Sequence, residues 1–330
     1  MNRTLPFCLF FAALASAQSI TVPPFPAESR EFFTTAQGLP SNDIRSIAVT
    51  TAGAVFAATP AGLARLDNNR WTAAAPEPVL HLASAGDQVF YTTDTALHRL
   101  GQGQIAPLSQ PEALAAANNR VWAAAAGKII EIAGAQVREH PSPGLVRQIA
   151  LSPSGRIVLA TQNGVFELEN SIWKRILAND WSLNDARAAA FDAQNTLWIA
   201  TPACVANQTA DGHWRTFTGR NGLPYNDFTF AAATREPWFT TRLGAIRFDG
   251  HDFRYRQGLR YLPSDDVRAV ALAPNGDAWF ATAAGVGVIR RKTVTLAEKA
   301  RYFEDEIDKY HRRTPFEYIL EVALAAPGDK

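Results

Sequence analysis

Cysteine is almost absent from this chain. Two occur in 330 residues, Cys8 and Cys204, and they cannot staple the fold if the N-terminal segment is removed. An excess of one charge is missing as well: 32 Lys plus Arg face 31 Asp plus Glu, with no basic run. Such a chain lacks the electrostatic footprint of a nucleic-acid binder. After residue 17 no apolar stretch is long enough to cross a bilayer, so a membrane-spanning role is not expected. The signatures G-x-S-x-G, H-E-x-x-H, the Walker loop and the Rossmann fingerprint do not occur. The six histidines are scattered. His213 and His251 occupy the same repeat position after an Asp-Gly turn, which puts them on an outer rim. His81 lies on an inner strand, where a lone imidazole needs only a partner for its N–H. No catalytic set, no metal set and no cofactor is therefore expected.

What is present begins with a leader. Arg3 supplies a positive charge, Leu5 to Leu14 an apolar core too short to span, and Ala15-Ser16-Ala17 a small-residue cleavage site. Residues 1–17 are expected to be a signal peptide, which implies a periplasmic or secreted protein. Cleavage removes Cys8 and Arg3, leaving 31 charges of each sign. The remaining Cys204 is expected to pack as a small hydrophobe.

The strongest signal is a repeat. Val55–Thr59, Val89–Thr93, Val121–Ala125, Ile157–Thr161, Leu197–Thr201, Pro237–Thr241 and Ala278–Thr282 share one pattern, and their last residues are 34, 32, 36, 40, 40 and 41 positions apart. The first unit reads as four short strands separated by Ala52-Gly53, Pro60-Ala61-Gly62 and Asp67-Asn68-Asn69. A four-stranded meander has two apolar faces and cannot bury both alone. Radial packing buries both. Blades are expected from Val79 to Leu108, Ala113 to Glu139, Leu145 to Leu177, Ala186 to Thr218 and Phe228 to Tyr255, with a seventh from Val267. The seventh lacks an outer strand. A strand over 30–36, placed before Gly38-Leu39-Pro40 as His213–Thr218 is placed before Gly222-Leu223-Pro224, is expected to complete it and close the ring. The expected fold is thus all-β, a seven-bladed β-propeller over 18–295. Residues 296–330 read as an amphipathic helix followed by a strand, the start of a further unit or a docking element. On the helix Leu296, Phe303, Ile307 and Tyr310 share one face, and Phe303, Ile307 and Tyr310 are expected to be covered by the propeller or by another chain.

The segments Gly38-Leu39-Pro40-Ser41-Asn42-Asp43-Ile44 and Val55 to Asp67, with Gly222 to Phe228 and Pro263 to Ala271, resemble the two-component regulator propeller repeat. The resemblance covers roughly Arg30 to Lys292. It implies a seven-bladed extracytoplasmic sensory domain and says little about ligand, because propellers host many activities.

Candidate site residues lie in the loops that feed the inner strands. Asn42-Asp43, Asn184-Asp185, Asn226-Asp227 and Asp265-Asp266 make the sector of blades 5, 6, 7 and 1 polar, whereas blades 2 to 4 carry bland pairs there. Asn42, Asn184, Asn226 and Asp265 are the expected ligand contacts, and the second Asp of each pair is expected to fix its own turn. Arg45, Arg147, Arg187 and Arg268 recur at the second position of the inner strands, and Arg242 lies on the same face. They suit a carboxylate or hydroxyl ligand; the plainer reading is an ion pair between blades. Tyr225, Trp181 and Tyr261 offer surfaces on which a sugar could stack. These residues point to a secreted or periplasmic binding module for a carbohydrate or small polar ligand. A propeller enzyme of lyase or lactonase type and a scaffold for a protein partner are the alternatives.

Overall fold

The sequence period becomes seven four-stranded antiparallel sheets in the computed structural model, which describes residues 22–178 and 182–313. The inner strands of blades 1 to 7 are Ser46–Val49, His81–Ala85, Pro111–Ala117, Val146–Leu151, Ala188–Phe191, Phe228–Ala233 and Val267–Leu272. Each touches the inner strands before and after it, and Val267–Leu272 meets Ser46–Val49 to complete the circle. The fold is a seven-bladed β-propeller. The leader expected over 1–17, Trp181 and the strand expected after Pro315 lie outside the described residues.

Side-chain size explains how the blades fit around the axis. In six blades an inner-strand alanine lies opposite a second-strand aromatic: Ala48 faces Phe56, Ala83 Phe90, Ala115 Trp122, Ala190 Trp198, Ala232 Trp238 and Ala271 Trp279. In blade 4, Ala150 faces Val158. Directly paired side chains share a face and lie close together. The large ring therefore sits one strand out, where the wedge between blades is wider, and the small residue sits near the axis.

The threonine that ends the second strand is buried in five blades, and a buried hydroxyl is costly unless bonded. Thr59, Thr161, Thr241 and Thr282 each donate to the carbonyl of the glycine three residues on, at 2.7–3.0 Å. Each also accepts the N–H two residues on. This T-x-x-G hairpin opens the third strand. In blade 5, Cys204 replaces the glycine. Thr201 bonds its carbonyl at 3.2 Å. Cys204 is fully buried, and burial pushes its thiol above the ordinary range, which makes it unreactive.

The same glycine identifies the missing outer strand. Gly62, Gly244 and Gly285 have φ of +130°, +118° and +131°, a region that favours glycine. A Cβ on Gly62 would lie 2.6 Å from the carbonyl oxygen of Ala75, and one on Gly244 2.4 Å from that of Arg256. In blade 7 a Cβ on Gly285 would meet the Phe33 carbonyl oxygen at 2.4 Å. Phe33 thus occupies the fourth-strand place, and Phe25–Phe33 is the outer strand of a sheet with Gly285–Val294, Ala278–Thr282 and Val267–Leu272. It begins and ends earlier than the 30–36 read from sequence. The reason is local: Thr34 and Gln37 form a capping box around the 3-10 turn Thr35–Gln37, which ends the strand. Thr218 and Asn221 build the same device between blades 5 and 6. Phe33 is 1% exposed, stacked on Trp279 at 5.8 Å and edge-on to Trp71 at 6.0 Å. Its outer-strand neighbour Glu28 bonds Arg256 at 2.6 and 2.7 Å.

A separate unit carries the helix Leu296–Arg313. Thr295 and Glu298 cap it reciprocally. Leu296, Phe303 and Ile307 are exposed, and the Tyr310 side chain lies outside the described residues.

Phe33→Ala should remove about 3–5 kcal/mol of stability, measured by denaturant unfolding of the full chain. A loss below ~1 kcal/mol would show that the ring does not depend on this strand.

Candidate functional site

The start of each inner strand is where the backbone turns a side chain toward the channel mouth. In blades 3, 4, 6 and 7 the ladder skips one residue there: Glu112, Arg147, Thr229 and Arg268 are bulged out of register. A bulge bends the strand and re-aims the extra side chain. Arg45, Leu80 and Arg187 occupy the same place in blades 1, 2 and 5, their N–H groups donating to Ala58, Thr92 and Ala200. The mouth is therefore ringed by Arg45, Leu80, Glu112, Arg147, Arg187, Thr229 and Arg268. Blade 3, which looked bland in sequence, supplies a glutamate at the bulged position.

A cavity of about 690 Å³ opens at this mouth. Blade 3 gives it Glu112, blade 4 Leu145, Val146 and Arg147, and blade 5 Arg187 and Pro202. Blade 6 gives Asn226, Asp227, Phe228, Thr229 and Arg242. Asp185 stands beside the lining and ties two of its arginines together: one oxygen takes Arg147 at 2.9 Å and the other Arg187 at 2.6 Å. This fixes two guanidinium forks from adjacent blades. Glu112 accepts the Val146 N–H at 2.7 Å, stitching blade 3 to blade 4. Asp227 accepts the Arg242 N–H at 3.1 Å. The Arg242 side chain is exposed, and no carboxylate among the described residues pairs with it. Deeper in the channel, Gln148 reaches from blade 4 to blade 6. Its amide donates to the Ala231 carbonyl at 2.7 Å and accepts the Ala231 N–H at 3.0 Å. It borders a second space of about 360 Å³ lined mainly by alanine and aliphatic residues of the inner strands.

The cavity thus lies over blades 3 to 6 rather than over blades 5, 6, 7 and 1. Of the sequence candidates, Arg147, Arg187, Asn226 and Arg242 line it. The others are engaged elsewhere. Arg268 is held by Asp43 and Asp266. Asn42 accepts the Thr35 N–H at 2.8 Å, and Asp265 the Gly258 N–H at 2.6 Å. Asn184 accepts from Arg175. Arg45 lies outside the cavity, and its charge acts on His81. Tyr225 donates to Gln257 at 2.8 Å and meets Tyr255 edge-on, away from the cavity. Tyr261 packs under Arg256 and Arg260. The roles within the pairs are thus reversed from expectation in blades 1 and 7, whereas in blade 6 Asp227 bonds backbone as expected. In blades 1 and 7 the first member holds backbone, while Asp43, Asp185 and Asp266 take arginines. Asn226 does both, donating to the Pro202 carbonyl at 2.6 Å from the cavity wall. In the sector of blades 7 and 1, Arg268 is occupied by ion pairs with Asp43 and Asp266.

Burial pushes His81 below the ordinary imidazole range, so it is held neutral beside the Pro111 carbonyl at 3.4 Å. Among the described residues no group of three or more His, Cys, Asp or Glu gathers as a metal site would require.

No protein-family model matches the chain, and no curated protein matches it. Solved structures do. A streptogramin B lyase has a TM-score of 0.65 at 15% identity, covering 80% of this chain and 98% of that one. Virginiamycin B lyase from Staphylococcus aureus has a TM-score of 0.63 at 14% identity, covering 82% and 100%. The extracellular domain of a hybrid two-component system from B. thetaiotaomicron has a TM-score of 0.67 at 16% identity, covering 81% of this chain and 41% of that one. At these identities the likeness shows the fold alone.

Asp265→Ala should cost about 1–3 kcal/mol, because it strands a backbone donor. Arg242→Ala, which breaks no bond among the described residues, should stay within ~0.5 kcal/mol. Denaturation midpoints of both variants check this, and a destabilised Arg242→Ala protein would assign that side chain to the scaffold instead.

Proposed function

We propose that this chain is an extracytoplasmic binding module whose channel-mouth cavity takes a small polar ligand, a saccharide or similar molecule. The observation that carries the reading is the convergence of Arg147, Arg187 and Arg242 with Asn226 on one cavity. Its volume of about 690 Å³ falls within the range of small-molecule sites. Guanidinium forks and amides recognise carboxylate and hydroxyl oxygens by direction as well as by charge. The scaffold favours recognition, because Asp185, Glu112 and the Gln148 bridge fix the walls in advance, and preorganisation raises affinity. Extracytoplasmic placement rests on the leader read over 1–17 and on the fold likeness to extracellular sensory domains.

Binding is the reading the lining supports, because its polar side chains are mainly guanidinium forks and an amide, with two carboxylates that are engaged by backbone N–H groups. The enzyme alternative rests on the fold likeness to lyases and on Glu112 and Asp227, carboxylates of a type that serves as acid or base. Stacking on an aromatic platform is not part of the reading, since the one lining aromatic, Phe228, is itself 4% exposed. A protein partner over the same mouth is the second reading. Leu145, Leu177, Leu243 and Leu259 are exposed at 48%, 73%, 45% and 75% in loops of this face, and exposed apolar residues beside a cationic hollow suit a docking surface.

The test is a thermal-shift screen of saccharides and small carboxylates against the full chain. Ligand at about 100 times its Kd should stabilise by about 2.7 kcal/mol. Arg242→Ala should weaken each hit by about tenfold to a hundredfold, the worth of one charge-assisted bond, while leaving the unliganded melting temperature in place. Hits that survive Arg242→Ala and Arg187→Ala but vanish in variants of Asn42 and Asp265 would move the site to the opposite sector.

A further inference from the structure

Resting on the binding reading, the charge layout of the cavity narrows the ligand class. We infer that the ligand carries a single carboxylate together with a hydroxyl or amine donor beside it, and that neutral sugars and phosphate esters are discriminated against. Three cations line the space: Arg147, Arg187 and Arg242. Three anions answer them: Glu112 and Asp227 on the wall, and Asp185 just beside it. The total is balanced, so any negative charge a ligand brings without its own cation is in excess, and a dianion brings twice the excess of a carboxylate into a space of restricted dielectric.

The pairing within that total is uneven. Asp185 serves two arginines at once. Arg242 has no carboxylate among the described residues. Glu112 and Asp227 are bound only to backbone N–H groups, of Val146 and Arg242. One cation therefore lacks an anion, and two carboxylates lack a cation or hydroxyl. A planar carboxylate fits the open fork of Arg242 with the remaining N–H groups of Arg147 and Arg187. A donor on the same molecule answers Glu112, which spans from blade 3 toward the arginines of blades 4 and 5. A neutral sugar leaves Arg242 unanswered. A carboxylate without donors leaves Glu112 unanswered, and an unanswered polar group in a site built for a partner discriminates strongly.

Calorimetric titration of the full chain with five matched probes tests this. D-glucuronate offers a carboxylate with hydroxyl donors, and 1-aminocyclohexanecarboxylate a carboxylate with an amine. Cyclohexanecarboxylate lacks the donor, D-glucose lacks the carboxylate, and D-glucose 6-phosphate carries a dianion on the same ring. At least one of the first two should bind about tenfold or more tightly than each of the last three, and the better of the two identifies the donor. Glucose binding equally well would overturn the inference while leaving the binding reading intact. Equal binding by cyclohexanecarboxylate would overturn the donor requirement, and tighter binding by the phosphate ester would overturn the charge balance. Silence from all five would overturn the inference, whereas the binding reading falls only if the wider screen also yields no hit. Glu112→Gln is the second arm. It keeps an oxygen for the Val146 N–H and removes one negative charge. With the melting temperature unchanged, it should shift preference toward glucose 6-phosphate by about tenfold relative to the better carboxylate. Unshifted selectivity would show that Glu112 only ties the blades.

Discussion

Phe33 lies between Trp279 of blade 7 and Trp71 of blade 1, and the ring is shut at that contact. Each blade is a sheet with two apolar faces, and each face is buried by the next blade. Six such interfaces come from neighbours in sequence. The seventh needs the two ends of the repeat to meet. The chain achieves this by placing its N-terminal strand where blade 7 lacks a fourth, with the Phe33 carbonyl against Gly285 as the Ala75 carbonyl lies against Gly62. Ion pairs reinforce it, Glu31 to Arg290 at 2.8 Å and Glu28 to Arg256 at 2.6 Å. Their value comes from position, because exposed pairs add little alone, whereas partly buried ones at a closure join segments far apart in sequence.

Electrostatics then decides which part of the mouth remains open. The arginine of blade 7 is close enough to the loop aspartate of blade 1 to be taken by it, and that sector fills with its own ion pair. In blades 4 and 5 two arginines compete for one aspartate. Blade 3 contributes a glutamate bound to backbone, and blade 6 has a threonine where blades 1, 4, 5 and 7 carry arginine. Its hydroxyl bonds Thr240 at 2.7 Å and the Val267 carbonyl at 2.6 Å. In the cavity over blades 3 to 6, Arg242 has no carboxylate among the described residues, and Glu112 and Asp227 are bound only to backbone N–H groups. That is the condition under which a ligand, rather than the scaffold, completes the pairing.

The seven-fold architecture was legible in the sequence because each blade repeats its own local code. The aromatic of the second strand, the alanine opposite it and the T-x-x-G hairpin all act within about forty residues. Even the closing strand could be read, since Gly38-Leu39-Pro40 repeats Gly222-Leu223-Pro224, although its bounds moved once the capping box of Thr34 and Gln37 ended it early. The candidate site was only partly legible. Arg187, Asn226 and Arg242 were found because their types and loop positions suit a polar ligand. Glu112 was passed over because it was read as part of the loop before the blade 3 strand, whereas it holds the bulged place that Arg147 and Arg268 hold in blades 4 and 7.

The sequence by itself determined the repeat, its strand order and the need for a ring, because these follow from short-range patterning and from apolar faces that must be covered. Only the tertiary structure decided where a ligand could fit. Asp43 precedes Arg268 by more than two hundred residues, yet they are partners, and Gln148 bridges to Ala231 across an intervening blade. Whether an arginine is free or paired depends on which carboxylate the closed ring brings beside it, and that proximity appears only once the first and last blades have met.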